Sequence, residues 1–359
     1  MRIPVMTPHW FTAVMGTGIV GIAAHTLPVT SPALRDISVT AWVLDVALGL
    51  TVVTLTAAHY LQDKGALRRY LLDPASAPFF GAMAMGILTV GTSTLVVGAK
   101  FIGTRSAADI DLTLWWIGTI IGVAAASLVP VLAFTRHRVA PDAATPVWLL
   151  PVVAPMVSAA SGALLLDHVH GTAAQALAIA CYAQFGATAM AALAVTASVW
   201  NRLAHHQHRE AATTPALLIV LGPLGQSVTA AGLLADHAPE SLGLTRHAMT
   251  AFSILYGIPT MGFAMLWLII AGVIVLDAAR RGLPFSLGWW SFTFPIGTCV
   301  TGATVLAHHT GAAAFTALAV ALYALLLVGW SLAAGGTARM LAARWAESRE
   351  TISASPVAG

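Results

Sequence analysis

A chain of 359 residues that is 58% hydrophobic and only 9% charged cannot cover its apolar surface as a soluble protein. It is an integral membrane protein, and its length is counted in spans rather than in soluble domains. The net charge of +3 comes from basic loops and marks no nucleic-acid surface, and Cys181 and Cys299 both fall in apolar runs without ligand spacing, which excludes a disulfide framework and a metal cluster.

Apolar runs long enough to cross a bilayer, about 20 residues each, fall at 9–28, 38–62, 77–98, 111–133, 146–166, 173–200, 214–235, 247–276, 287–308 and 311–341. The expected fold is therefore all-α and integral membrane, with ten transmembrane helices in a domain over residues 1–342 and a short cytoplasmic tail at 343–359.

The first run follows Met1-Arg2 closely, is too long for a signal-peptide core and lacks a cleavage site, so it reads as a retained span. Within it Gly16-Thr17-Gly18-Ile19-Val20-Gly21 fits GxGxxG, and Asp36 follows about twenty residues on, as a dinucleotide site requires. No strand, turn and helix unit fits inside a membrane span, so that reading fails.

In the second run Asp45 is the one carboxylate deep in a span. At about 1.5 Å per residue it lies about 12 Å from the outer end, where an ionised group is costly. It either carries a proton coupled to transport or is a neutral, hydrogen-bonded carboxyl facing another helix.

The odd-numbered runs share an irregularity. The first has Gly16, Gly18 and Gly21, the third Gly81, Gly86 and Gly91, and the fifth Pro151 and Pro155; the seventh has Gly222, Pro223 and Gly225, and the ninth Pro295, Gly297 and Gly302. Glycine and proline bend helices or let backbones approach closely. Short connections pair each odd span with the next, which predicts five helical hairpins with their kinked odd members gathered around an axis. No Asp, Glu, Lys or Arg falls within the odd runs as bounded above, while Thr12, Thr17, Thr89, Thr92, Ser158, Ser227, Thr229, Thr293 and Thr298 supply hydroxyls. A pore so lined is narrow, weakly polar and uncharged. Anions are favoured by exposed amide hydrogens at broken helices and by a basic inner mouth, with no buried Arg to grip a dicarboxylate.

In the ninth run Trp289-Trp290-Ser291-Phe292-Thr293-Phe294-Pro295 concentrates these features. Pro295 lacks an amide hydrogen and crowds the carbonyl of Ser291, so a helix through it must kink, and Phe294 beside the break projects its ring where the kink points, into the expected pore. The paired Trp115-Trp116 and Trp289-Trp290 also suit an interfacial aromatic belt.

With the amino terminus inside, the inner segments hold Arg2, Lys64, Arg68, Arg69, Arg136, Arg138, Arg202, Arg209, Arg280, Arg281, Arg339, Arg344 and Arg349, and the outer ones only Arg35, Lys100, Arg105 and Arg246. This bias places both termini in the cytoplasm, and the expected location is the cytoplasmic (inner) membrane. His168, His170, His205, His206, His208, His308 and His309 fall in loops or at span ends, and solvated interfacial positions account for them better than a metal site does. The chain has no HExxH, GxSxG or GxxxxGK motif and no carboxylate pair in one span. No enzyme activity, cofactor or metal is expected.

The run from Phe285 to Pro295, with Met15-Gly16-Thr17-Gly18 in the first span, resembles the tellurite-resistance/dicarboxylate transporter family, which includes bacterial tellurite-resistance channels, plant guard-cell slow anion channels and fungal malate and sulfite transporters. The resemblance covers the chain in span count and order. It implies a homotrimer in which each protomer has its own pore, formed in pseudo-fivefold fashion by five kinked odd helices inside a ring of five even ones. It further implies that Phe294 is the pore gate. Gly16, Thr17, Gly18, Gly86, Pro155, Pro223, Pro295 and Gly297 become the pore-kink and pore-lining candidates. The long hydrophilic tails by which plant members are phosphorylated have no counterpart here, so kinase gating is not expected. Two readings stay open: a channel-like path for small anions gated by Phe294, or a proton-coupled carrier of C4-dicarboxylates such as malate, or of sulfite, using Asp45 with His25 or His59. Which anion is physiological, and whether tellurite resistance applies, stay open as well.

Overall fold

The computed structural model describes residues 6–140, 142–206, 211–239 and 242–354. Arg2, His208 and Arg209, invoked above, lie outside the described residues.

Every described element is helical. In chain order the helices are α1 (Phe11–Thr26), α2 (Pro32–Gln62), the short α3 (Ala66–Leu72), α4 (Phe79–Ser93), α5 (Ala99–Ile102), α6 (Thr104–Thr135), α7 (Leu149–Leu165), α8 (Gly171–His205), α9 (Leu221–His237), α10 (Arg246–Arg280), α11 (Phe294–Thr310) and α12 (Ala313–Ala354). Eight continuous helical stretches are long and apolar enough to cross a membrane: Pro32–Gln62, Phe79–Ile102, Thr104–Thr135, Pro146–His168, Gly171–His205, Ala212–His237, Arg246–Arg280 and Ala313–Glu347. The first and ninth expected spans correspond to α1 and α11, which at 16 and 17 residues fall short of the usual crossing length of about 20. Helix α12 continues to Ala354, so most of the segment expected as a tail is a helical extension.

Local chemistry sets the boundaries. Pro28 biases Leu27 to extended backbone (φ −49°, ψ 139°), ending α1. Ser31 then caps α2 by accepting from the Leu34 amide at 3.2 Å, with Pro32 at the first helical position. Between α4 and α5 one π-helical turn, Thr94–Gly98, keeps the stretch continuous. Gly311, at φ 67°, supplies the left-handed cap after α11 and turns the chain into α12.

Two expectations about boundaries need correction. A continuous helix through Pro295 was expected; instead a 3₁₀ segment, Leu287–Phe292, precedes α11, and Pro295 is its second residue. There a missing amide hydrogen costs nothing, because first-turn amides have no intrahelical partner. The odd spans also carry charge after all. Helix α9 extends through Asp236, and Lys100 sits in α5, because these helices run past the ends of their most apolar stretches.

The helices pack as neighbours in sequence, α1 on α2, α4 on α6, α7 on α8, α9 on α10 and α11 on α12. A second set of contacts runs α1 to α4, α4 to α7, α7 to α9, α9 to α11 and α11 back to α1, closing a cycle. The five helices in that cycle are buried over most of their length, and α2, α6, α8, α10 and α12 bury only a minor part of theirs. Exposed apolar side chains such as Leu50, Phe134, Met190, Leu255 and Val328 mark the outer helices as the surface presented to lipid.

Candidate functional site

Two cavities lie in series along the axis enclosed by α1, α4, α7, α9 and α11. The larger is about 380 Å³ and the smaller about 60 Å³. All five helices contribute to both walls, and each passes from the smaller to the larger as it runs toward its carboxyl end. Met15 gives way to Ile19 on α1, Met85 to Thr89 on α4, Val153 to Val157 on α7, and Pro223 to Gln226 on α9. On α11 a single residue, Phe294, lines both. Phe294 is 3% exposed and borders both spaces.

Phe294 is held from behind. The Thr293 hydroxyl donates to the Trp290 carbonyl at 2.6 Å, and the Trp290 indole N–H donates to Thr337 Oγ1 on α12 at 3.1 Å. The Trp330 indole N–H donates to Thr17 Oγ1 at 3.2 Å, tying α12 to α1. Gly16 makes the crossing possible: a Cβ there would overlap the Thr293 hydroxyl and lie 2.8 Å from the Trp290 ring.

The other candidates divide into two groups. Pro223 and Pro295 line the smaller cavity. Pro155 is buried in α7 between Val153 and Val157, at the level where one cavity yields to the other. The remaining four face helix contacts: Gly297 receives Ile19, Gly86 receives Phe11, Gly18 receives Asp45, and Thr17 donates to the Ala13 carbonyl at 2.8 Å. The three glycines make room for neighbouring side chains, and the Thr17 hydroxyl is engaged by its own helix and by Trp330.

Asp45 reaches from α2 into the α1–α4 contact. It is fully buried, Oδ2 accepts from Ser93 at 2.8 Å, and Oδ1 has no partner among the described residues. It lines neither cavity. Asp45 is also not alone as a carboxylate deep in a span. Asp111 lies well inside α6, which begins at Thr104 rather than at the edge of the apolar run. It is fully buried against Gly91, and neither carboxyl oxygen has a partner among the described residues.

The polar inventory of the larger cavity is thinner than its threonines suggest. The Thr89 hydroxyl donates to the Met85 carbonyl at 2.7 Å, and that of Ser161 to Val157 at 3.0 Å. Thr229 and Thr301 are paired at 2.7 Å. Hydroxyls used this way turn methyl groups and lone pairs toward the space. Thr92, Gln226 and Thr304 line the cavity and spend no side-chain donor on another described residue. Gln226 went unremarked in the sequence because one amide in an apolar run has no periodic signature. No Lys or Arg among the described residues lines either cavity; Asp236 and His308 stand at the end of the larger one away from Phe294.

Comparison with known proteins adds an independent line. The family model described as SLAC1, voltage-dependent anion channel, matches residues 5–338. The sulfite efflux pump SSU1 of Trichophyton rubrum is 31% identical over 305 residues, covering 83% of this chain and 80% of that protein. The sulfite efflux pump SSU1 of Arthroderma otae is 30% identical over 322 residues, covering 87% and 84%. An uncharacterized transporter of Methanocaldococcus jannaschii is 26% identical over 326 residues, covering 90% of each chain.

Proposed function

The chain belongs to the SLAC1 voltage-dependent anion channel family, and from that premise we propose that small anions cross the membrane along the axis of its five buried helices, past Phe294. The observation that carries the proposal is the position of Phe294 as the one residue, among those described, common to two cavities in series. Rotation of its ring, or a small movement of the Thr293 junction, joins them.

Selectivity then rests on three features. Among the described residues no Lys or Arg that would trap an anion lines either cavity, so transit is fast and binding weak. Free donors at Thr92, Gln226 and Thr304 replace part of the hydration shell. The narrow step at Phe294 admits only small ions. Sulfite is the anion we favour, because the relatives that share about 30% identity are named sulfite efflux pumps.

In this reading the polypeptide crosses ten times as five hairpins in pseudo-fivefold order, with bends at Pro155, Pro223 and Pro295 and both termini in the cytoplasm. The closed cycle of contacts from α1 through α11 supports that order, and the distribution of Lys and Arg supports the orientation. The shorter α1 and α11 cross together with the 3₁₀ segments that precede them. Placement in the cytoplasmic membrane and assembly as a homotrimer follow from the family resemblance.

A proton-coupled carrier of sulfite or a C4-dicarboxylate is the second reading, motivated by the buried carboxyl of Asp45 with its unpartnered Oδ1. Proteoliposome flux separates the two. We expect sulfite and chloride to move down their gradients without following an imposed pH step, and Asp45→Asn to leave the rates unchanged. Uptake driven by the pH step and lost in Asp45→Asn would establish the carrier instead.

A further inference from the structure

At the end of the larger cavity away from Phe294 three side chains from two helices converge. Asp236 lies at the end of α9, and His308 and His309 at the end of α11; one ligand atom from each falls within 4.8 Å of the others. Asp236 and His308 line the cavity, and His308 is exposed. The His309 ring is almost fully enclosed, its side chain 3% exposed, with Nε2 3.0 Å from Asp236 Oδ1. Its other nitrogen, Nδ1, is 3.1 Å from the hydroxyl of Ser253, a fully buried residue of α10.

We infer that Asp236, His308 and His309 form a binding site for a divalent transition-metal ion of the zinc class, and that an ion held there narrows the mouth of the cavity. Two imidazoles and one carboxylate suit Zn²⁺, Ni²⁺ or Cu²⁺ and not the oxygen-demanding Ca²⁺ or Mg²⁺. Ligand bonds of about 2.0–2.2 Å require donor atoms on one ion to lie within about 4 Å of each other. The observed spacing reaches that with a modest rotation of the exposed His308. The buried partner is already oriented, because Ser253 fixes the ring of His309 as outer-shell groups fix metal-bound histidines. Ser253 serves either tautomer. It donates to Nδ1 while Nε2–H faces Asp236, and it accepts from Nδ1–H once the proton has moved and Nε2 carries the metal. Three protein ligands leave one position of a tetrahedron open toward the cavity. Asp236 and His309 are 73 residues apart in the chain, so no spacing motif announces the set.

The site is testable apart from transport. Purified full-length protein without an affinity tag is titrated calorimetrically with Zn²⁺, and with Co²⁺ while its visible absorption is recorded. We expect one ion per chain and a tetrahedral Co²⁺ spectrum, with binding at least tenfold weaker in His308→Ala and absent in His309→Ala. His308→Ala alters an exposed residue, so its folding is secure, and His309→Gln serves as a second test if His309→Ala proves unstable. Failure of the wild type to bind, or equal binding by both histidine variants, overturns the site; the latter would place the ion on other histidines such as His205 and His206. The effect on passage rests on the anion-conduction reading, whereas the isotherm does not. Micromolar Zn²⁺ should lower wild-type sulfite flux severalfold and spare His308→Ala relative to its own metal-free rate. Intact metal binding with undiminished wild-type flux would overturn the narrowing.

Discussion

The contact between Gly16 and the Trp290–Thr293 segment is the mechanical support of Phe294, and Gly16→Ala disturbs it with one methyl group. The added Cβ would overlap the Thr293 hydroxyl and press to 2.8 Å on the Trp290 ring and 3.2 Å on Thr293 Cβ. Carbon atoms in comfortable contact are about 3.5–4.0 Å apart, so either α1 or the 3₁₀ segment must yield by several tenths of an ångström or more. Overpacking of this kind costs about 1–3 kcal/mol. For a chain of this size that is a drop of about 2–6 °C in the unfolding midpoint, at about 2 °C per kcal/mol. Because Thr293 and Phe294 are consecutive, the partition moves too, and basal anion flux should rise. The assay is thermal unfolding in detergent by tryptophan fluorescence, paired with proteoliposome flux, for Gly16→Ala, Thr293→Ala and the double variant. Removing the Thr293 hydroxyl costs about 1 kcal/mol through its bond to Trp290 but makes room for the new methyl. The double variant should therefore be more stable than the sum of the singles by about 1 kcal/mol or more. Strict additivity, or a Gly16→Ala variant matching wild type in both midpoint and flux, would refute the packing argument.

Other outcomes follow from the same contacts. Asp111→Leu removes a buried carboxyl whose oxygens lack partners, and replacing an unsatisfied polar group by an apolar one of similar size should raise stability by about 1–3 kcal/mol, read as a higher unfolding midpoint; a fall of similar size would show that the carboxyl is engaged. Asp45→Asn keeps an acceptor for Ser93, so its midpoint should stay within about 1 kcal/mol of wild type by the net value of one hydrogen bond. Trp290→Phe deletes the bond to Thr337 while Thr337 keeps its bond to the Ala333 carbonyl, so the loss should be about 1 kcal/mol, and a loss several times larger would mean that the indole does more than tether α12.

Some of this architecture was legible in the sequence because membrane helices expose a simple code. Glycine and proline marked the helices that approach one another closely, as Gly16, Gly18 and Gly297 do, and the Phe294-Pro295 pair pointed to a break in the backbone. Both signals are local. The nature of the break was not legible, because proline in an apolar run looks the same whether it interrupts a helix or begins one, and only the 3₁₀ segment before Phe294 distinguishes them. Asp111 was misplaced because hydropathy bounds a span by its apolar core, whereas α6 begins at Thr104. Asp236 was missed for the same reason at the end of α9. Gln226 and the Asp236–His308–His309 set depend on which face of a helix meets which neighbour, and that is settled by tertiary packing.

The central claim, that anions pass Phe294, is tested most directly by the conductance of Phe294→Ala in planar bilayers beside the wild type, in chloride, nitrate, sulfite and malate. Withdrawing a buried ring forfeits packing worth about 3–5 kcal/mol, and at 1.4 kcal/mol per tenfold that corresponds to a closed state favoured by about 10² to 4 × 10³. Deleting the ring joins cavities of about 380 Å³ and 60 Å³ and should raise anion conductance by about two orders of magnitude with anion-over-cation selectivity retained. A folded Phe294→Ala protein that conducts no more than the wild type, in every anion and at every potential, would contradict it.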